Sequence, residues 1–301
     1  MRLFKDRPKN LWLTALQRLF WQRSGIAGMI ILGFLSLTAL FAPLIAPYDP
    51  IQVLIDTEPV KKRQPPCIHL LGCPADQPQH LMGIDGNVRD VFSRIIYGAR
   101  ISLYIGFVTI GLAVIVGTVL GATAGYAGGW ASDVIMRTLD VMMAFPFLLL
   151  AIAIVAVLGP GLINAMMAIA IVNIPAFARV IRSSVLCVKE EEFVTAARSM
   201  GASPMRILFL HILPNAISPL IVQSTLGIGT AILETSALSF IGMGAQPPAP
   251  EWGSMLASER NQVFSAPHLV FFPGLAIMTT VLGFNLLGDG LRDALDPRLR
   301  L

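Results

Sequence analysis

The chain has 301 residues, of which 55% are hydrophobic and 13% are charged, and its formal net charge is +4. A soluble domain carries about 25% charged residues, so this composition excludes an ordinary soluble globular protein. The missing charge is explained by long uncharged segments. About 20 such residues cross the roughly 30 Å hydrocarbon core of a bilayer as a helix.

The N-terminal segment, residues 1–24, predicts a cytoplasmic helix that lies in the membrane interface. Its apolar residues recur at helical spacing: Trp12, Ala15, Leu16, Leu19 and Phe20. Residues 25–46 contain no charge and predict the first transmembrane helix. A cleaved signal peptide is the weaker alternative, because this apolar run is longer than a signal core and lacks a small-x-small cleavage site.

Residues 47–100 predict an extracytoplasmic loop that ends in a second interfacial helix, because Val88, Val91, Ile95 and Ala99 repeat the helical pattern. Cys67 and Cys73 share this loop. In an oxidising compartment they would form a disulfide, and two unpaired thiols are the alternative. No Cys or His spacing resembles a zinc site, so we expect no metal.

Five further spans follow along the chain: 101–127, 138–158, 162–178, 215–242 and 268–288. They form a predicted five-helix core, residues 101–288, which includes a cytoplasmic loop at 179–214 and precedes a cytoplasmic tail at 289–301. With both termini in the cytoplasm, the inner segments carry more than twice as many Lys and Arg as the outer ones, which favours this orientation. The sequence predicts an all-α integral membrane protein with about six transmembrane helices.

Several residues inside the spans carry specific expectations. Gly117, Gly121 and Gly125 form a small-xxx-small ridge that predicts close approach of another helix. Glu234 is an intramembrane acid, and it either lines a pore or gate or makes an internal hydrogen bond. Asn173 and Ser239 are further pore or gate candidates. Asp140 reads as a structural acid at the N-terminal end of its helix.

The loop at 179–214 is too long for a simple connector. Gly201 is a helix stop, and Ser203 followed by Pro204 is a helix start. The pattern therefore predicts a helix, a sharp turn and a short helix. This structure either packs on itself or offers an apolar face to a partner.

Thr195-Ala196-Ala197-x-x-x-Gly201, followed by His211-Ile212-Leu213-Pro214-Asn215, resembles the EAA loop of bacterial ABC-importer permeases. In that family the loop holds a coupling helix that docks on a cytosolic ATPase. The family's first residue is usually Glu, and here it is Thr195. The resemblance implies that the coupling residues are Thr195, Ala196, Ala197, Gly201, Ala202, Ser203, Pro204 and Arg206.

Further blocks resemble the dipeptide/oligopeptide permeases, in particular the second, C-type subunit. The quoted blocks are Met82-Gly83-Ile84-Asp85-Gly86, Phe145-Pro146, Leu238-Ser239-Phe240-Ile241-Gly242 and Gly288-Asp289-Gly290-Leu291-Arg292-Asp293. Nickel and glutathione importers share these blocks. The resemblance therefore implies a type I importer permease in the bacterial plasma membrane that imports di- or oligopeptides. Import of nickel or glutathione by the same architecture is the alternative.

The resemblance also implies the partners: a second homologous permease, two cytosolic ABC ATPases, an extracytoplasmic solute-binding protein and membrane lipids. No nucleic acid partner is implied. The sequence contains no phosphate-binding loop, so ATP and Mg would be bound by the partner ATPases, and this chain would be neither an enzyme nor a cofactor carrier. The alternatives are a self-contained secondary transporter, for which no internal repeat is visible, and an assembly protein without transport activity.

Overall fold

The computed structural model describes residues 17–295, and its regular elements are helical throughout that range. We number the α-helices in chain order from the first one described in full. They are α1 (Arg23–Leu40), α2 (Ala42–Ile45), α3 (Val91–Ala127), α4 (Gly129–Met143), α5 (Phe147–Leu158), α6 (Leu162–Lys189), α7 (Glu192–Ser199), α8 (Pro204–Arg206), α9 (Leu213–Ala216), α10 (Ser218–Phe240), α11 (Trp252–Glu259) and α12 (His268–Leu295). Short 3₁₀ turns occupy His69–Leu71 and Arg260–Gln262, and Ile207–Ile212 is π-helical.

Four of these helices, α1, α3, α6 and α12, are long and apolar enough to cross a membrane unaided. Two bent pairs meet the same test together: α4 with α5, at an angle of 94°, and the stretch Pro204–Ala216 with α10, at 57°. Counting each pair as one span gives six, which confirms the predicted architecture of about six transmembrane helices.

The directions of the helices give the bundle two distinct ends. Gly117 lies against Phe177 and Gly125 against Val185, so α3 and α6 run parallel. Helix α10 runs antiparallel to α3, because Gly106 lies against Ile232 and Gly227 against Ile110. Helix α12 is antiparallel to both α10 and α1, since Gly288 lies against Leu226, and Gly290 against Gly25. One end, called here the disulfide end, carries residues 46–90 and 241–267. The opposite end, called here the termini end, carries the start of α1, the segment 190–217 and the end of α12.

Helices α3 and α6 meet in a close seam. A methyl group added at Gly121 would lie 3.0 Å from the carbonyl carbon of Ala178. Gly117 and Gly125 continue the seam one turn on either side. The predicted glycine ridge is therefore confirmed as a helix-packing surface, where small residues let two backbones approach closely.

Two predicted spans differ from the structure. The third span, 138–158, is broken at residues 144–146, because Pro146 has no N–H and disfavours helical geometry in the residue before it. The fourth, 162–178, does not end near Pro175. Helix α6 continues to Lys189 with Pro175 buried inside it, since neighbouring helices can compensate for a freed carbonyl group in a membrane bundle.

The predicted second interfacial helix is also wrong as a separate element. From Val91 onward it is the first part of α3, which runs unbroken for 37 residues. Its apolar stripe packs on protein rather than lipid, because Val91, Ile95 and Ala99 are buried with Trp252 of α11. The sequence analysis did not predict α11. Most of the predicted N-terminal interfacial helix lies outside the described residues, as do residues 296–301 of the predicted tail.

We expect Gly121→Val to destabilise the protein by about 1–3 kcal/mol, because the new side chain has to push α3 away from Ala178. The thermal unfolding midpoint of the purified protein in detergent measures this effect. Gly111→Val is the matched control, since Gly111 lies on the same helix with no atom within 4 Å of the added carbon. Equal midpoints for the two variants would contradict the seam.

Candidate functional site

A sharply defined turn joins α7 to α8 at the termini end. Gly201 has a φ of +80°, in the left-handed region that glycine adopts at little cost. Its N–H donates to the carbonyl oxygen of Arg198 at 3.0 Å, and the N–H of Ala202 donates to that of Ala197 at 3.1 Å. These two bonds form a Schellman motif, which satisfies the last carbonyl groups of α7.

The next helix begins where the sequence predicts. The Ser203 hydroxyl accepts a hydrogen bond from the Arg206 N–H at 3.4 Å, and Pro204 occupies the first helical position. The predicted helix, turn and short helix are therefore present. Of the eight residues in the predicted coupling set, Ala197 is buried and Ala202 is half-buried, whereas the other six are exposed.

The segment 192–216 has an inward and an outward apolar face. The inward residues join the main hydrophobic core: Val194, Ala197, Ile207, Leu208, Ile212 and Ala216. The outward residues are between 43% and 81% exposed: Phe193, Met200, Met205, Phe209 and Leu210. Ala197 points into the fold, whereas Phe193 and Met200 face outward. The outward residues recur along the segment from Phe193 to Leu210, and the described chain leaves them exposed.

Two of the predicted pore or gate residues meet inside the bundle. Asn173 of α6 donates from Nδ2 to Glu234 Oε2 of α10 at 3.2 Å, and also to the carbonyl oxygen of Ile169 at 2.9 Å. Both residues are half-buried. The internal hydrogen bond that was one alternative for Glu234 is therefore present, and it leaves the pair partly open to the surface.

Ser239 does not join this pair. Its side chain is buried, and its hydroxyl accepts a hydrogen bond from the Ala245 N–H at 3.0 Å, which holds the turn after α10. It lines no accessible surface in this structure, and its place in a pore or gate stays a prediction. Asp140 also differs from expectation. It lies in the last turns of α4 rather than at a helix start, and it forms an ion pair with Arg179 of α6.

The disulfide end carries a folded extension of the chain between α2 and α3. Cys67 and Cys73 form a disulfide, with Cα atoms 5.4 Å apart. The backbone of Cys67 also exchanges two hydrogen bonds with that of His80, at 2.9 and 3.0 Å. The segment is therefore held at two points, by the disulfide and by the backbone pairing of Cys67 with His80. Free Cys187 is exposed near the end of α6, at the opposite end of the bundle.

His80 is the centre of a buried polar cluster. Its Nδ1 bonds to Asp90 Oδ1 at 2.9 Å, and its Nε2 bonds to Glu58 Oε2 at 3.1 Å. The ring therefore bridges the two carboxyl groups through both of its nitrogen atoms. Asp90 also caps α3 by accepting from the Ser93 N–H at 2.7 Å. Burial raises the pKa of Tyr48, whose hydroxyl donates to Glu58.

A second cluster ties α11 to α3 and α10. Arg94 is buried and donates to the carbonyl oxygen of Pro50 at 2.8 Å. Glu251 caps α11 and accepts from the Ser236 hydroxyl at 3.0 Å. Burial raises the pKa of Glu251 above its ordinary value, although its hydrogen bonds oppose the rise. Trp252 Nε1 donates to the carbonyl oxygen of Ile95 at 3.1 Å.

Sequence reasoning missed both clusters. The bonded partners do not follow a helical or strand repeat: His80 is 10 positions from Asp90, and Arg94 is 44 from Pro50. Arg63 and Glu259, whose ion pair of 2.9 Å spans 196 positions, are further apart still. One signal was available: Asp85, Arg89, Asp90 and Arg94 concentrate charge in a short stretch directly before an apolar span. Among residues 17–295, no group of three His, Cys, Asp or Glu side chains is arranged to hold a metal ion.

We expect His80→Leu to destabilise the extension by about 1–3 kcal/mol, because the buried Asp90 and the half-buried Glu58 would lose the ring that bridges them. Hydrogen exchange of the amides in residues 47–90 measures this local unfolding. His69→Leu is the control, since His69 is exposed and bonds only to the carbonyl oxygen of Gln77 within the described chain. Unchanged exchange in His80→Leu would contradict the bridging role of the ring.

Two family models match this chain. The model described as binding-protein-dependent transport system inner membrane component matches residues 117–301, and the N-terminal TM domain of oligopeptide transport permease C matches residues 10–66. The dipeptide transport system permease protein DppC of Alkalihalophilus pseudofirmus is 50% identical over 96% of this chain and 90% of its own length. The glutathione transport system permease protein GsiD of Escherichia coli O157:H7 is 45% identical over 98% and 93%.

The fold has a solved counterpart. A structure of the MetNI methionine ABC transporter in an inward-facing conformation matches with a TM-score of 0.55 at 18% identity, over 67% of this chain and 96% of that one. This likeness shows that the two share the fold of an ABC-importer permease. Together with the matched family models, it establishes that the chain belongs to the family of binding-protein-dependent transport system inner membrane components.

Proposed function

We propose that this chain forms half of the translocation pore of an ATP-driven importer of short peptides, and that the segment 192–216 couples it to a cytosolic ATPase. The proposal rests on one observation. The segment 192–216, with its capped turn, exposes apolar side chains on one face, while its other face is buried in the hydrophobic core of the protein. An exposed apolar patch of this kind marks a protein contact.

The charge distribution supports placing the termini end in the cytoplasm, since Lys and Arg are concentrated in its segments. The disulfide supports the same orientation, because disulfides persist outside the reducing cytosol. A solute-binding protein would then deliver cargo at the disulfide end, and two ATPases, which bind ATP and Mg, would act at the other end.

The polar residues of the spans support a pore wall on one side of the bundle. Asp140 and Arg179 are about half exposed, and Glu234 and Asn173 are half-buried. Polar groups within a membrane face the protein interior or a wet cavity rather than lipid. In the assembled importer these four residues would line the path that this chain encloses with a second, homologous permease.

Closure of the ATPases on ATP would push the outward residues of the segment 192–216. The Schellman turn keeps this segment stiff, and its buried face passes the displacement to the core that holds α3, α6 and α10. The spans would then tilt between outward-open and inward-open states. A self-contained secondary transporter would need no such docking surface.

The relatives support short peptides as cargo. Their names specify dipeptides, di- and tripeptides, and glutathione, which is itself a short peptide. Nickel, the other cargo considered from the sequence, is not among the cargoes that these relatives are named for.

We expect Met205→Asp to abolish ATP-dependent peptide uptake and co-purification of the ATPases, because a charge would be buried in the apolar contact. Uptake is measured in proteoliposomes that contain the complete complex. Leu70→Asp is the matched control, since Leu70 is 96% exposed at the opposite end. Normal ATPase binding by the Met205 variant would count against the docking surface.

The turn itself can be tested separately. Gly201→Pro should uncouple ATP hydrolysis from uptake, because proline cannot adopt a positive φ or donate to Arg198. Gly201→Asn should retain most uptake, since asparagine tolerates the left-handed conformation. Wild-type uptake by the proline variant would contradict transmission through this turn.

Cysteine labelling of intact cells tests the orientation. We expect a membrane-impermeant maleimide to react with Cys67 and Cys73 only after reduction, and a permeant maleimide to be needed for Cys187. The Cys187→Ser variant identifies which signal belongs to that residue. Labelling of Cys187 by the impermeant reagent would place the termini end outside and refute the proposed orientation.

A further inference from the structure

The pair formed by Glu234 and Asn173 leaves two oxygen atoms without a protein donor. Glu234 uses Oε2 to accept from Asn173 Nδ2, while Glu234 Oε1 and Asn173 Oδ1 accept no hydrogen bond from the described residues. The buried polar atoms without a partner are those of Ser102, Thr109, Thr235 and His268. The two oxygen atoms are therefore accessible, and both belong to the face that the proposed pore uses.

Glu234 also has no cationic partner among residues 17–295. The ion pairs of that range involve Glu58, Asp85, Asp90, Asp140 and Glu259 as the acids. A carboxylate on a membrane-spanning helix is costly without compensation, and such residues usually pair or mark a substrate path. An accessible oxygen with no protein cation beside it is arranged to receive a cation from outside the chain.

The donor set indicates which cation. A primary ammonium group has three N–H donors and a single positive charge, which a carboxylate oxygen and an amide oxygen can both engage. A hard divalent metal ion requires more oxygen ligands than one carboxylate and one amide supply. The described chain has no third His, Cys, Asp or Glu at this position to complete a metal site.

We propose that Glu234 and Asn173 form a binding station for the N-terminal ammonium group of a peptide in transit. This inference rests on the proposed function as a peptide permease and assigns part of its specificity to the pore. Glu234 lies six residues from the end of α10 at the disulfide end, which is about 9 Å along the helix. The station is therefore near the mouth that receives cargo from the binding protein.

The test uses the complete importer in proteoliposomes, with radiolabelled alanyl-alanine loaded on its binding protein. We expect Glu234→Gln to lower the maximal uptake rate about tenfold, because one charge-assisted hydrogen bond to the peptide is lost. Binding-protein-stimulated ATP hydrolysis should stay within about twofold of the wild-type rate. Glu234→Asp should retain uptake. Asp76→Asn, which removes an exposed charge at the disulfide end, is the matched control.

Glutamine can still accept a hydrogen bond from Asn173, so a purely structural role of Glu234 predicts wild-type uptake for Glu234→Gln. Wild-type uptake by that variant would overturn the inference. Charge can also be restored chemically. In a Cys187→Ser background, Glu234→Cys should regain uptake after modification with a sulfonate-bearing methanethiosulfonate but not with its trimethylammonium counterpart. Equal uptake after the two reagents would overturn the inference.

The outcomes separate this inference from the proposed function. If the wild-type complex imports the dipeptide with ATP and Glu234→Gln does so equally well, the station fails and the permease function stands. If the wild-type complex imports no dipeptide with ATP, the proposed function fails and the station fails with it. Uptake of radioactive nickel ion in place of the dipeptide, abolished by Glu234→Gln, would overturn the ammonium assignment.

Discussion

Close backbone contact between α3 and α6 is the constraint on which the rest of the structure depends. Gly121 has no side chain, so α3 can lie directly against the carbonyl group of Ala178. The two helices run parallel, and α3 alone has 37 residues, a length of about 55 Å. They form a continuous rod that reaches from one end of the molecule to the other.

Each end of this rod is fixed by a different kind of interaction. At the disulfide end, Asp90 caps α3 and also bonds to the ring of His80, so the start of the helix belongs to a hydrogen-bonded network. At the termini end, Val185 of α6 is buried in the same core as Val194 and Ala197 of α7. Under the proposed function, a displacement of α7 would therefore move α3 and α6, which also carry the surface that receives cargo.

The few charged side chains are distributed in a way that fits this arrangement. At the disulfide end several buried charges are paired, as with Asp85 and Arg89 at 2.8 Å, because an unpaired buried charge is costly. In the spans, Asp140 is paired with Arg179. Glu234 differs from all of these acids, since its neighbour is a neutral amide. That difference, rather than the acid itself, makes it a candidate for contact with cargo.

Sequence alone determined the features that depend on neighbouring residues. Span number follows from the length of uncharged runs, the turn at Gly201 follows from local backbone preferences, and the glycine ridge follows from spacing along one helix. The sequence did not predict the break at Pro146 or its 94° bend, because prolines within a membrane bundle are often tolerated.

Only the tertiary structure decided which distant groups meet. Asn173 and Glu234 are 61 positions apart, and Arg63 and Glu259 are 196 apart, so no local pattern could pair them. The buried position of Ser239 and the continuation of α6 past Pro175 likewise depend on what the neighbouring helices supply. Local preferences specify the elements, whereas burial and long-range hydrogen bonds select the partners of each polar side chain.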